Sequence, residues 1–132
     1  MSAGGHPLPL LLRVDGTVET TGRPGLLLGL EPDPNLTDHT LELHRGDALM
    51  LYTDGLTDAY APDRTLAPED LELLLSACAG RSASEIVDRV QHGALDDDTK
   101  QPRDDIALVA VRLTPHAARR PVTRRSATVT YA

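Results

Sequence analysis

The chain has no tryptophan, no phenylalanine and three tyrosines among its 132 residues. Any core must therefore be built from Leu, Val, Ile and Ala. The single cysteine, Cys78, excludes an intramolecular disulfide and fits a reducing compartment. No stretch approaches the roughly 18 apolar residues of a membrane span. The first residues lack the basic region and apolar run of a secretory signal. These absences lead to the expectation of a soluble, cytoplasmic protein without a membrane partner. Common catalytic signatures are missing as well: no Walker or dinucleotide-binding glycine motif, no H-E-x-x-H and no G-x-S-x-G.

Hydrophobic residues make up 40% of the chain, enough for a core in one domain or part of one. The net charge of -7 is unevenly placed. All 20 acidic residues lie at or before Asp105, against eight basic ones there, whereas five basic residues follow it. Such an acidic body disfavours nucleic acid as a partner and suits a site for divalent cations. The basic segment 115–132 shows no periodicity and reads as a solvated, disordered tail, so that residues 1–114 form the domain.

Leu8 to Val14 is an apolar run closed by Asp15-Gly16, and Thr17 to Thr20 follows it, which predicts a hairpin. Gly22 to Asn35 is rich in Gly and Pro and reads as loop, with Leu26-Leu27-Leu28 as a buried patch within it. His39 to Leu43 alternates and predicts a strand. His44-Arg45-Gly46-Asp47 reads as a turn before a central strand over Ala48 to Thr53, apolar on both faces. Asp54-Gly55 ends that strand. Pro68 opens a helix whose Leu71, Leu74, Leu75 and Cys78 form one stripe, with Gly80 as its C-terminal cap. Ser82 to Glu85 matches a capping box ahead of a second stripe, Ala83, Ile86, Val87, Val90 and Ala94. Asp96 to Arg103 is polar loop, and Asp105 to Leu113 predicts a last strand with two apolar faces. Short antiparallel strands plus a helical hairpin predict an α+β layered fold.

Asp54 stands where a buried strand stops, and Asp104 and Asp105 stand just before another. Carboxylates at strand ends are held on stiff scaffold yet open to solvent. Hard cations such as Mg²⁺ and Mn²⁺ take such oxygens, and two of them can activate a water and clamp a phosphoryl group. An Asp-Gly after a strand is more often a plain turn, so spacing alone leaves both readings open. Asp96-Asp97-Asp98 reads as solvated loop, since three consecutive side chains do not readily converge, and Cys78 reads as core.

One segment is far more specific. Leu43-His44-Arg45-Gly46-Asp47-Ala48-Leu49-Met50-Leu51-Tyr52-Thr53-Asp54-Gly55-Leu56-Thr57-Asp58-Ala59 resembles the L-x-x-G-D-x-L-x-L-Y-T-D-G-L-T-D/E-A signature of the SpoIIE-like branch of the PPM (PP2C) serine/threonine phosphatases. Arg103-Asp104-Asp105-Ile106-Ala107-Leu108 resembles that family's terminal D-D-I/A-x-L motif. Ala3 to Arg13 is similar to its A-G-H-P-P-P-L-L-L run, and Pro24 to Gly29 to its G-x-P-L-G loop. The four motifs fall in family order over residues 3 to about 113.

The resemblance implies a partial PP2C-like antiparallel β-sandwich with a flanking helical hairpin, corresponding to the C-terminal half of the phosphatase domain. It implies a two-metal centre of Mn²⁺ or Mg²⁺, with Asp54 and Asp104 as ligands and Asp58 facing a third, weaker metal. Gly55 would bring the backbone close to the metal's water shell. Gly5 and His6 would shape the floor near the site, and Asp105 would support the turn. The implied reaction is direct attack of activated water on phosphoserine or phosphothreonine, with no phosphoenzyme. The implied partner is a phosphorylated regulatory protein, such as an anti-sigma-factor antagonist of the STAS type.

Nothing in the chain resembles the family's D-x-x-G-H-G motif, whose Asp bridges both metals, so the centre is expected to be incomplete here. A complementary N-terminal half, a homodimer or another partner would then be needed. The alternative is a non-catalytic interaction module. A haloacid-dehalogenase-type phosphatase is disfavoured, because Thr53-Asp54-Gly55-Leu56-Thr57-Asp58 does not supply the D-x-D-x-T motif.

Overall fold

A computed structural model describes residue 1 and residues 3–32, 36–97 and 99–114. The elements run β1 (Leu10–Leu12), β2 (Val18–Thr20), β3 (Ala48–Tyr52), α1 (Asp54–Thr57), α2 (Pro68–Ser76), α3 (Ala83–Ala94) and β4 (Leu108–Arg112). The strands form one antiparallel sheet in the order β2-β1-β3-β4. The basic segment 115–132 lies outside the described residues.

The Asp15-Gly16 signal produces the expected hairpin. Gly16 takes φ +91°, its N–H bonds the Arg13 carbonyl at 3.0 Å, and the Asp15 carboxylate accepts from Thr17 N–H at 2.9 Å. β1 then pairs with β3, Leu11 opposite Leu49, and β3 with β4, Leu49 opposite Val111. Because side chains alternate across a strand, one face carries Leu10, Leu12, Ala48, Met50, Tyr52, Leu108 and Ala110. These pack against Leu71 and Leu75 of α2, Cys78 just beyond it, and Ile86, Val90 and Ala94 of α3. Of the residues that spacing selects, these six are buried, while Leu74, Ala83 and Val87 are only half-buried. Ser82 and Glu85 make the reciprocal capping box that starts α3.

The opposite sheet face is different. Leu11 is fully buried there, but Leu51, Val109 and Val111 are 38%, 54% and 50% exposed. Among the described residues there is one sheet, so no second sheet lies across this apolar face.

Asp47 anchors the start of β3. It is 1% exposed, and its Oδ2 accepts from Arg13 Nη1 and from the His44 N–H, each at 2.9 Å. Burial pushes its carboxyl upward, but the His44 and Arg13 hydrogen bonds outweigh burial and hold it below the usual carboxylate range.

Three expectations are corrected. Residues 39–43 form no strand: β1 and β3 already have neighbours on both edges, so alternation there meets no free central partner. His39 instead exchanges backbone bonds with Met1. Leu26, Leu27 and Leu28 are not a buried patch. Leu28 lies over Gly4 and Leu27 over Gly5, but Leu26, Leu27 and Leu28 remain 47%, 50% and 61% exposed. The last strand is shorter than Asp105 to Leu113, since the residues ahead of Leu108 are drawn onto the end of β3.

Candidate metal centre

β3 ends at Tyr52, and the chain turns at once into the single-turn helix α1, with Thr53 extended as its N-cap. The segment before β4 runs back along this turn and is laced to it. Thr53 N–H bonds the Ala107 carbonyl at 3.1 Å. The Thr53 hydroxyl accepts from Ala107 N–H at 3.0 Å and donates to the Asp105 carbonyl at 3.2 Å. Farther along, Arg103 N–H bonds the Ala59 carbonyl at 2.9 Å.

Gly55 is the point of closest approach. A Cβ there would collide with the Asp105 carbonyl, 3.1 Å from its carbon and 3.6 Å from the carbonyl carbon of Asp104. The two Asp-bearing segments, about 50 residues apart in sequence, are therefore in backbone contact, and glycine is what permits it. Gly55 makes room for the Asp104-Asp105 backbone, a role that spacing did not reveal.

The carboxylates at this junction share one arrangement. Asp54 Oδ1 accepts from Gly55 N–H at 3.1 Å, and Asp104 Oδ1 accepts from Asp105 N–H at 2.7 Å. Each Oδ2 is free of hydrogen bonds among the described residues, and both residues are exposed. Hard carboxylate oxygens at such a junction suit Mg²⁺ or Mn²⁺ in donor chemistry. They do not complete a shell: among the described residues no three His, Cys, Asp or Glu side chains converge as a metal-holding group.

Asp58 and Asp104 line one cleft of about 310 Å³ with Ala61 and Arg103. Asp54 does not line it. Asp58 follows α1 as its C-cap, its N–H bonded to the Asp54 carbonyl at 2.8 Å. Asp105 contributes its backbone, accepting from Thr53 and packing on Gly55. Gly5 takes φ +85° against Leu27. His6 is exposed and lines a separate cleft with Ala3, Gly4, Leu51 and Tyr52 among others, beside the end of β3. The structure thus places Asp54, Gly55, Asp58, Asp104 and Asp105 around one junction, with His6 in another hollow and Gly5 against Leu27.

Thr53 and Arg103 were not singled out from sequence. The signal for Thr53 was a hydroxyl at a strand end, able to donate and accept at once. The remaining acidic loop is engaged elsewhere: Asp96 pairs with Arg64 at 2.6 Å, and Asp97 accepts from Thr99 N–H at 3.0 Å. Cys78 is buried, and burial pushes its thiol up, which suits core and not a nucleophile.

This sheet-and-helix arrangement is that of PP2C-type phosphatase domains. It superposes on the phosphatase domain of SpoIIE from Bacillus subtilis with a TM-score of 0.65 at 18% identity, covering 89% of this chain and 51% of that one. It superposes on a structure of the RsbU and RsbW domains of a Mycobacterium tuberculosis protein with a TM-score of 0.67 at 26% identity, covering 87% and 32%. Phosphoserine phosphatase RsbU of Bacillus subtilis is 29% identical over 111 residues, 84% of this chain and 33% of its own length. Protein IcfG of Synechocystis is 29% identical over 109 residues, 81% of this chain and 17% of its own. Residues 1–114 match the family described as Stage II sporulation protein E (SpoIIE), and the chain belongs to that family of PPM-type phosphatases. It spans about a third of the length of RsbU.

Proposed function

We propose that this chain supplies part of a metal-dependent phosphatase site that hydrolyses phosphoserine or phosphothreonine on a regulatory protein, an antagonist of the STAS type fitting that class. The observation that carries the reading is the backbone contact of Gly55 with Asp104-Asp105, which brings the two Asp-bearing segments together at the end of β3. The relative named as a phosphoserine phosphatase supports the same chemistry. Asp54 and Asp104 would be the ligands, and Asp58, across the cleft from Asp104, would face a further ion. Two divalent cations in such a site supply an activated water and neutralise charge on the phosphoryl group. The chain's own part is to hold the carboxylates in place: each lends Oδ1 to a backbone N–H and keeps Oδ2 for an ion. Thr53 clamps the two segments together.

A complementary N-terminal half, a homodimer or another partner would provide the remaining ligands and cover the bare sheet face. Mixing the chain with a complementary half and Mn²⁺ should release phosphate from a phosphoserine peptide, and Asp54→Asn or Asp104→Asn should abolish release. Full activity in either variant contradicts the ligand assignment. A non-catalytic interaction module is the second reading, favoured by the lack of a three-ligand group among the described residues. Under it the same mixture binds the phosphopeptide without turnover.

A further inference from the structure

The cleft between Asp58 and Asp104 holds one cationic side chain, Arg103. Its place is fixed through the backbone by the 2.9 Å bond from its N–H to the Ala59 carbonyl. Arg13, Arg64, Arg81 and Lys100 are paired with carboxylates, whereas Arg23, Arg45, Arg89, Arg103 and Arg112 make no ion pair among the described residues, and of these Arg103 is the one that lines the acidic cleft. Arg103 makes no ion pair among the described residues, although carboxylates stand beside it in the cleft. An arginine left unpaired in an acidic body is free to receive an anion. Its planar fork of donors matches phosphate oxygens in pairs, which a lysine cannot do.

We propose that Arg103 is a substrate-binding residue that grips the phosphoryl group of a phosphoserine or phosphothreonine and holds it in the cleft against Asp104. The inference rests on the phosphatase reading for its ligand class, but it concerns recognition and not turnover. The anion would approach with its charge shared between cations held by Asp104 and the guanidinium. Ala61, the small residue of the lining, leaves room for it. Arg103 is exposed and its bond to Ala59 runs through the backbone, so replacing the side chain leaves that bond intact.

The test is a titration of the ¹⁵N-labelled chain, in Mg²⁺, with a phosphoserine peptide and with its unphosphorylated counterpart. The Arg103 Nε–Hε signal should shift saturably with the phosphopeptide alone. Arg103→Gln should weaken binding by about tenfold or more, as expected for losing a charge-assisted pair of hydrogen bonds. Arg103→Lys should recover part of the loss, and the thermal midpoint should stay unchanged in both. No shift at Arg103, or equal affinity in Arg103→Gln, overturns the proposal. The two readings can fail separately: hydrolysis with an unaltered KM in Arg103→Gln removes Arg103 and leaves the phosphatase, whereas Arg103-dependent binding without hydrolysis removes the phosphatase.

Discussion

Gly55 and Asp105 touch through their backbones, and a methyl group at position 55 would stand 3.1 Å from the Asp105 carbonyl carbon. That contact joins the end of β3 to the segment before β4, and with it the two carboxylates on which the functional reading depends. Because the obstacle is backbone and not a flexible side chain, it cannot swing aside.

Gly55→Ala should therefore destabilise the chain by about 1–3 kcal/mol, the usual range for forcing a methyl group into a closed contact. It should also weaken Mn²⁺ binding more than it weakens the fold, because the carboxylates move apart. Chemical denaturation and an Mn²⁺ titration of the same sample check both. Wild-type stability together with wild-type affinity would show that the contact is loose.

Asp47 sets the acid limit. Its carboxyl is held below the usual range in the folded chain, so it is ionised over more of the pH scale there than when unfolded. Its contribution is complete above the unfolded pKa of about 3.9 and is lost as pH falls below that, through the folded value. Stability should decline on acidification in this window. Asp47→Asn should flatten that decline while lowering stability near neutral pH by about 2 kcal/mol or more, since the Arg13 bond loses its ionic partner. A denaturation series across acidic pH measures both effects.

The bare sheet face should tolerate charge in this chain and not in an assembly. Val109 is 54% exposed, so Val109→Lys should change the chain's own stability by no more than about 0.5 kcal/mol. The same substitution should prevent association with a complementary half if that face is where the half docks. Sedimentation of the mixture decides, and association unchanged by the lysine places the docking surface elsewhere.

The helical layer should behave as ordinary core. Leu75 is 0% exposed between the sheet and α3, so Leu75→Ala should cost about 2–5 kcal/mol. Ser82→Ala removes the capping box and should cost about 1 kcal/mol. Urea denaturation of the two variants tests the ranking.

What the sequence made legible was whatever local chemistry dictates. The Asp15-Gly16 hairpin, both helical stripes and the Ser82 cap follow from spacing and turn residues and stand where those place them. The misreadings arose where long-range partners decide. Residues 39–43 have a strand's alternation, but both central strands are already paired on each side and His39 bonds the backbone of Met1 instead. Leu26 to Leu28 have a core's composition but lie on a loop that covers only Gly4 and Gly5. At the site, the motifs picked out Asp54, Asp58 and Asp104 by type. That Gly55 is the hinge of the contact, and that Arg103 enters the cleft unpaired, depends on a meeting of segments about 50 residues apart that no local pattern encodes.

The account turns on Asp54 and Asp104 serving the same ions, and a double-mutant cycle on Mn²⁺ affinity tests this most directly, with free Mn²⁺ followed by its electron paramagnetic resonance signal. Asp54→Asn and Asp104→Asn should each weaken binding about tenfold or more, and the double variant should lose clearly less than the product of the two. Losses that simply multiply, or an affinity untouched by either change, would mean that the two carboxylates act apart and that no shared centre exists.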